Sequence, residues 1–218
     1  MKYVRALSEG KFRIGEELMR VEIPQKKGPP LSFEKDEFPK PDTTLEKLSK
    51  LPLVYGSPTV TAGNAPGLDT GASAILIMSE EKAREKGLKP LAKILSMVAT
   101  ATTPRLIAAI PGITIQRALE KAQRTLDQVD LIEINEAFAA MPLVSANILA
   151  KGDSEKMKTL LEKTNVNGGA IAVGHPVGAS GARILMTLVY ELRRRGGGIG
   201  VASICGGLAQ GDGAVVQV

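Results

Sequence analysis

Short apolar runs alternate with helical patterns from about residue 70 to the last residue of this chain. The runs have the length of strands, and they are Ala72–Met78, Ala92–Thr100, Val129–Ile134, Gly198–Ile204 and Gly213–Val218. Strands that are apolar on both faces belong to sheets that other layers cover on both sides. The alternation therefore predicts an α/β fold in which helices cover a layered sheet.

The helices between these runs are predicted from their caps and periodicity. Glu80–Lys86 is a charged helix that a glycine ends, and Pro111–Arg124 and Ser180–Arg195 are amphipathic. Asn135 is predicted to cap a further helix. Pro142 lies inside that helix pattern and is predicted to kink or shorten it.

The first 57 residues carry weaker signals of regular structure. Residues 3–9 have the pattern of a helix end, and residues 24–41 hold five prolines among many charges. Such a segment predicts a long surface excursion with little regular structure. Thr43 and Glu46 have the spacing of a capping box, which opens a short helix that runs to about Lys50.

The composition excludes several classes of function. The formal charge of +5 and the pI of about 9.3 suit an anionic partner such as a nucleotide-bearing cofactor. Aromatic residues make up only 3% of the chain and tryptophan is absent, so we expect no nucleic-acid partner. No apolar run approaches the roughly 18 residues of a membrane span, and the N-terminus lacks the apolar segment of a signal peptide.

The chain contains one cysteine and one histidine. A single cysteine excludes an internal disulfide and fits a reducing cytoplasm. It also excludes a cysteine-rich zinc site, and one histidine argues against an imidazole-based metal site. We therefore expect a cytoplasmic protein with no metal centre.

Three loops carry residues suited to acyl chemistry. Gly174–Gly181 holds the only histidine, His175, and leads into a helix whose first amides favour negative charge. The only cysteine opens the glycine-rich turn Cys205–Gly207, and Asn135–Ala139 follows a strand. Each of these residues also has a purely structural interpretation. His175 would be an imidazole with satisfied hydrogen bonds, Cys205 a small buried hydrophobic side chain, and Asn135 a helix cap. Together they favour a site.

Five motifs in this order resemble the thiolase family over nearly the whole chain. They are Asp42–Leu48, Thr59–Gly67, Asn135–Phe138, Gly174–Gly181 and Cys205–Gly207. The resemblance implies a thiolase-like fold. Residues 58–218 would form the C-terminal α/β domain, and residues 1–57 would form part of the family's loop domain, with the Pro-rich excursion.

The resemblance implies cleavage or formation of a carbon–carbon bond beside a thioester by ping-pong covalent catalysis. His175 would activate a cysteine nucleophile and would form one oxyanion hole with a water held by Asn135. Cys205 would carry the proton at the acetyl α-carbon. The backbone N–H of Gly207 would belong to a second oxyanion hole.

Coenzyme A thioesters are the substrates that the resemblance implies, with no permanently bound cofactor. Phe138 and the loop from Ala62 to Gly67 would line the channel for the pantetheine arm. Pro66 stands where thiolases commonly have a serine that contacts pantetheine, so we do not expect the hydrogen bond that this serine would make to coenzyme A. Leu208 and Ala209 replace glycines of the family's pattern, and their Cβ atoms are expected to exclude positive φ angles.

The nucleophilic cysteine of thiolases belongs to their N-terminal half, whereas Cys205 matches the acid/base position. We therefore expect a separate N-terminal-half thiolase subunit to supply the nucleophile. The pair would form a heterotetramer or a larger hetero-oligomer, and this chain alone would not turn over.

Two alternatives differ from this split enzyme. The first is a non-catalytic scaffold or regulatory subunit of an acyl-CoA complex. A scaffold has no physical need for Asn135, His175, Cys205 and Gly207 together. The second is a related condensing enzyme of the same fold, and such enzymes generally lack the late cysteine. Substitution of His175 or Cys205 separates these alternatives from a thiolase.

Overall fold

The protein is described by a computed structural model that covers residues 1–218. The first part of the chain contains short elements joined by long loops. They are α1 (Lys2–Ser8), β1 (Val21–Ile23), β2 (Leu31–Phe33), α2 (Leu45–Ser49) and α3 (Glu80–Glu85). β1 and β2 form an exposed antiparallel pair, so the Pro-rich excursion includes one short strand.

The rest of the chain forms the layered unit. Its elements are β3 (Lys93–Ala101), α4 (Ile110–Lys121), β4 (Leu131–Ile134), α5 (Ala140–Ala150), α6 (Ser154–Glu162), α7 (Ala170–Val173), α8 (Ser180–Arg194), β5 (Ile199–Gly206) and β6 (Gln210–Gln217). The strand order is β3-β6-β5-β4, with β4 parallel to β5 and the other pairs antiparallel. The predicted α/β class is confirmed.

The core lies on both faces of this sheet because successive strand residues point to opposite sides. On one face, Ile132 and Ile134 of β4 pack in a cluster with residues of α4 and α5. On the other face, Leu131 of the same strand packs with Leu188 and Leu192 of α8. Each fully buried side chain of this kind stabilises the fold by about 1.5–3 kcal/mol, because folding removes its apolar surface from water. The three layers hold the strand ends in fixed positions.

The apolar run Ala72–Met78 does not form the predicted strand. It belongs to no ladder, and the side chains of Leu76 and Ile77 are 80% and 59% exposed. A strand needs a neighbour to accept and donate its backbone hydrogen bonds. Within this chain the run has no such neighbour, so its composition alone does not make a strand.

Two capping predictions were wrong in detail. The cap of α2 is Thr44, whose side chain accepts from the Lys47 N–H, whereas Thr43 donates to the carbonyl of Lys40. Asn135 does not cap α5, which begins at Ala140, five residues later. Pro142 therefore falls in the first turn of α5, where its missing N–H would be unpaired in any case.

Candidate active site

Two of the predicted loops lie at one edge of the sheet because they follow parallel neighbouring strands. Asn135 comes directly after β4, and its N–H donates to the carbonyl of Ser203 in β5 over 3.0 Å. Cys205 lies two residues beyond Ser203, where β5 ends. The register of β4 with β5 therefore places the asparagine and the cysteine at the same end of adjacent strands.

His175 is joined to this edge by a hydrogen bond to Asn135. The asparagine Nδ2 lies 3.1 Å from His175 Nε2, and Ser180 Oγ lies 2.7 Å from His175 Nδ1. The serine hydroxyl also lies 3.1 Å from the carbonyl of Pro176, which can only accept. All three contacts are satisfied when Nδ1 carries the proton and Nε2 accepts from the amide. The unprotonated nitrogen of the imidazole is then Nε2, whose lone pair accepts from the Asn135 amide.

Burial lowers the pKa of His175 below its ordinary value, and the positive charge of Arg183 lowers it further. Both effects disfavour the imidazolium. The ring is therefore neutral at pH 7, which is the form that can take a proton. A neutral imidazole with a defined lone pair is suited to general-base chemistry.

The loop from Ala62 to Gly67 is bound through its backbone to the loop after β4 and to the histidine loop. The carbonyl of Asn64 accepts from the Ala139 N–H over 2.9 Å, and that of Gly67 accepts from the His175 N–H over 3.0 Å. Phe138, next to Ala139, packs partly buried on the core, and Ala62 is exposed. The predicted coenzyme A residues thus lie on loops that touch one another.

The Glu136 side chain joins two loops by hydrogen bonds. Its carboxylate accepts from the Asn165 amide over 3.1 Å and from the Ile171 N–H over 3.0 Å. These bonds tie the loop after β4 to the segment that precedes His175. Glu136 therefore supports the spacing between Asn135 and His175.

Cys205 is half-buried and packs against the larger core cluster. Burial raises the pKa of its thiol, and a backbone hydrogen bond opposes part of that effect. The resting group is therefore the thiol and not the thiolate. A neutral thiol can donate a proton but does not begin a reaction as a nucleophile.

The turn after Cys205 contradicts one prediction. Leu208 and Ala209 were expected to avoid positive φ angles, yet they adopt φ values of 56° and 58°. Left-handed backbone costs a residue with a Cβ about 1–2 kcal/mol. Gly207 lies exposed in this turn, and a Cβ built on it would meet nothing within 4 Å. Open space therefore adjoins its backbone.

Four residues near the site were missed by sequence reasoning. Ser180 and Arg183 both contact the Asn135–His175 pair, and their i, i+3 spacing in a predicted helix could have placed them on one face. Glu133 is buried on β4, and burial raises its pKa to about 8. Asp69 packs against Gly174, where a Cβ would overlap its carboxylate. Nothing in the local sequence indicates the last two positions.

No three or more His, Cys, Asp or Glu side chains are grouped so that they could hold a metal ion. None of the helices combines the length and the apolar character that crossing a membrane requires. An open hollow of about 440 Å³ lies beside the histidine loop, lined by residues 69–73 and 176–179, and contains none of the predicted catalytic side chains.

Comparisons with known proteins agree with the motifs. The family model "Thiolase, C-terminal domain" matches residues 88–218, and the model "Thiolase, N-terminal domain" matches residues 1–81. An acetyl-CoA acetyltransferase of Chromobacterium violaceum is 46% identical over 213 residues, which cover 97% of this chain and 52% of that relative.

Solved structures show the same partial coverage. Human mitochondrial 3-ketoacyl-CoA thiolase matches with a TM-score of 0.88 and 41% identity, over 99% of this chain and 52% of that one. Its structure in complex with CoA matches with a TM-score of 0.84 and 40% identity, over 99% and 51%. The chain spans about half the length of these relatives. The family-model matches, the fold and the motif-bearing loops together show that this chain belongs to the thiolase family.

Proposed function

We propose that this chain is the acid/base half of a split thiolase. The assembled enzyme cleaves a 3-ketoacyl-CoA with coenzyme A, or runs the reverse Claisen condensation. The observation that carries the proposal is the neutral His175, whose Nε2 lies 3.1 Å from the Asn135 amide, in a chain whose only thiol has a raised pKa. This chain holds a base and a proton donor, and the nucleophile comes from elsewhere.

His175 acts as the base that takes the proton of the nucleophilic cysteine. The thiolate then attacks the 3-keto carbon, and the bond between the α-carbon and that carbon breaks. Cys205 gives its proton to the departing α-carbon, so acetyl-CoA leaves and an acyl group remains on the nucleophile. The thiol of coenzyme A gives its proton to the Cys205 thiolate and displaces the acyl group, and the released nucleophilic cysteine takes its proton back from His175. Asn135 with His175, and the Gly207 N–H, stabilise the oxyanions.

Coenzyme A is bound along the loop from Ala62 to Gly67 and beside Phe138. The backbone bonds that join this loop to Ala139 and His175 support the assignment, because they hold the loop beside Phe138 and the histidine loop. The net charge of +5 favours a ligand that carries phosphates. The related human thiolase solved with CoA supports the same class of ligand.

The nucleophile is supplied by an N-terminal-half thiolase subunit, and the two chains form a heterotetramer or a larger assembly. The unpaired run Ala72–Met78 supports this part of the proposal. Its exposed apolar side chains and free backbone groups are a surface that a second polypeptide must cover to prevent aggregation.

The test is thiolysis of a 3-ketoacyl-CoA by the assembled enzyme. His175→Ala and Cys205→Ala are each expected to lower kcat by at least about 100-fold, since positioned acid/base groups contribute factors of 10² to 10⁴. Val177→Ala is the matched control, because Val177 lies in the histidine loop but its side chain is 67% exposed. Native mass spectrometry checks that each variant still assembles. Unchanged turnover in both catalytic variants would leave the scaffold alternative.

A further inference from the structure

We propose that Arg183 is a positioning residue, which fixes the direction of the Asn135 amide and thereby holds the His175 lone pair at Nε2. Ser180 and Arg183 both lie in the first turn of α8, and they contact the Asn135–His175 pair from its two ends. The assignment to catalysis rests on the proposed function. The state of the imidazole does not depend on it.

The guanidinium decides which way the Asn135 amide points. Arg183 Nη2 donates to Asn135 Oδ1 in a long hydrogen bond of 3.4 Å. A guanidinium only donates, so the oxygen of the amide must face it. The other end of the amide, Nδ2, is then left to donate to His175 Nε2. A flipped amide would place its NH₂ against the guanidinium and its oxygen against the imidazole lone pair.

Ser180 fixes the same order of donors and acceptors from the His175 end of the pair. Ser180 Oγ accepts from His175 Nδ1 while it donates to Pro176, so the ring proton is at Nδ1. The hydrogen bonds therefore run one way, from Arg183 through Asn135 and His175 to the Pro176 carbonyl. Bonds in such a series polarise one another. Asn135 and His175 are both fixed by α8, although neither residue belongs to it.

The charge of Arg183 acts in the same sense as its hydrogen bond. Burial lowers the pKa of His175, and the positive charge of Arg183 lowers it further, which keeps Nε2 unprotonated. After burial, the charge of Arg183 has the largest effect on the pKa of the buried Glu133 carboxyl of β4, which it lowers, and the same charge also lowers the pKa of Glu17. Burial raises the pKa of Glu133 to about 8, so this carboxyl is mostly protonated at pH 7 and does not neutralise the guanidinium.

The single histidine makes the test direct. Long-range ¹H–¹⁵N correlation of the isotope-labelled full chain, alone or with unlabelled proteins that copurify, reports the tautomer and the pKa of His175 without a second imidazole from this chain. The wild type is expected to show a proton at Nδ1. Arg183→Met should raise the pKa of His175 and populate the other tautomer, whereas Arg183→Lys should keep the wild-type pKa.

Arg193→Met is the matched control. It removes the same charge from the same helix, ten residues away, and Arg193 makes only a 3.5 Å contact with the Leu91 carbonyl. We expect its His175 signals to equal those of the wild type. Should Arg183→Met fail to fold, Arg183→Gln removes the charge but keeps a donor. The pKa of His175 should again rise, with the proton still at Nδ1.

Histidine signals that are the same in wild type and in the folded Arg183 variants would overturn the proposal. In the assembled enzyme, the acidic limb of the kcat/KM profile should also move to higher pH in Arg183→Met. An absence of thiolase turnover in the wild type contradicts the proposed function but leaves the spectroscopic result for Arg183 intact, so the two failures can be told apart.

Discussion

The two parts of the chain that match the two thiolase domain models differ sharply in burial. Only three of the 50 buried residues lie within residues 1–81, namely Tyr3, Ala6 and Ala65. Residues 88–218 contain both core clusters and the four-stranded sheet. Two thirds of the exposed large apolar side chains belong to the first part. The second part has a core of its own, and the first does not.

The stability of the chain and the geometry of the candidate site therefore have separate sources. The core of residues 88–218 holds Asn135 and Cys205 at the strand ends. The first part reaches the site through hydrogen bonds, such as the bond from the His175 N–H to the Gly67 carbonyl. It is also anchored by Glu17, whose buried carboxylate bonds Thr187 and Arg194 of α8. The first part therefore adds little core, but its backbone hydrogen bonds help to fix the loops of the candidate site.

The largest expected contrast is between two leucine truncations. Leu188→Ala removes a fully buried side chain of α8 and should lower the free energy of unfolding by about 2–5 kcal/mol, because the cavity cannot close fully. Leu76→Ala, at a position that is 80% exposed, should change it by no more than about 0.5 kcal/mol. Urea unfolding of the chain without a partner measures both. Equal losses would abolish the distinction between the two parts.

Gly174 tests the contact between the two parts. Its φ of 90° disfavours a Cβ, and a Cβ there would overlap the carboxylate of Asp69. Gly174→Ala should therefore cost about 2–4 kcal/mol from backbone strain and overpacking. Gly178→Ala is the control in the same loop, since a Cβ there would meet nothing within 4 Å. Thermal unfolding of the two variants compares them, and a Gly174→Ala protein as stable as the control would refute the contact.

Glu133 gives the second part a pH-dependent stability. Its pKa is about 8 in the folded chain against about 4.3 when unfolded. The folded state binds the carboxyl proton of Glu133 more tightly than the unfolded state does. The resulting stabilisation of the fold is fully present below about pH 4 and is lost as the pH rises toward 8. Between pH 5 and pH 8 the wild type should lose on the order of 1–4 kcal/mol more than Glu133→Gln. Parallel curves of unfolding free energy against pH would contradict this.

The smallest expected effect lies at the strained turn. Leu208→Gly relieves a left-handed backbone but adds the entropy of a glycine, so a gain of no more than about 1 kcal/mol is expected. Leu208→Ala keeps the strain and should be neutral, because the side chain is 75% exposed. Guanidinium titrations can resolve the pair. A loss of stability in the glycine variant would show that Leu208 makes contacts that outweigh its strain.

Hydrophobic periodicity and the residues that start and end helices and strands predicted the layered part of the chain well. The amphipathic pattern of Ser180–Arg195 and the apolar run Gly198–Ile204 both correspond to elements with nearly the same bounds, α8 and β5. Such signals are local, because the spacing of apolar residues within a short segment indicates which face of a helix, or whether both faces of a strand, will be buried. The run Ala72–Met78 has an equally strong local signal and still forms no strand, because pairing requires a neighbour that local sequence does not specify.

The candidate site was predictable only in part for the same reason. The glycine-rich loops marked His175 and Cys205. The local pattern predicted only a helix cap at Asn135, and the family resemblance was needed to pair it with His175, whose imidazole its amide contacts. Arg183 lies on α8 and Glu133 on β4, and no local pattern reveals that these two elements pack together. The turn at Leu208 was misjudged because the tertiary structure holds a conformation that the residue itself disfavours.

The most direct test of the account is to find where the acyl group is bound. The tagged chain is recovered from its own host, incubated with acetyl-CoA and examined by native and peptide mass spectrometry. We predict a stoichiometric second chain that carries the acetyl adduct on a cysteine, with Cys205 unmodified. An adduct on Cys205, or turnover by this chain in the absence of any other polypeptide, would contradict a split thiolase in which this half supplies only the acid and the base. An adduct on a further segment of the same polypeptide would contradict the two-chain arrangement alone.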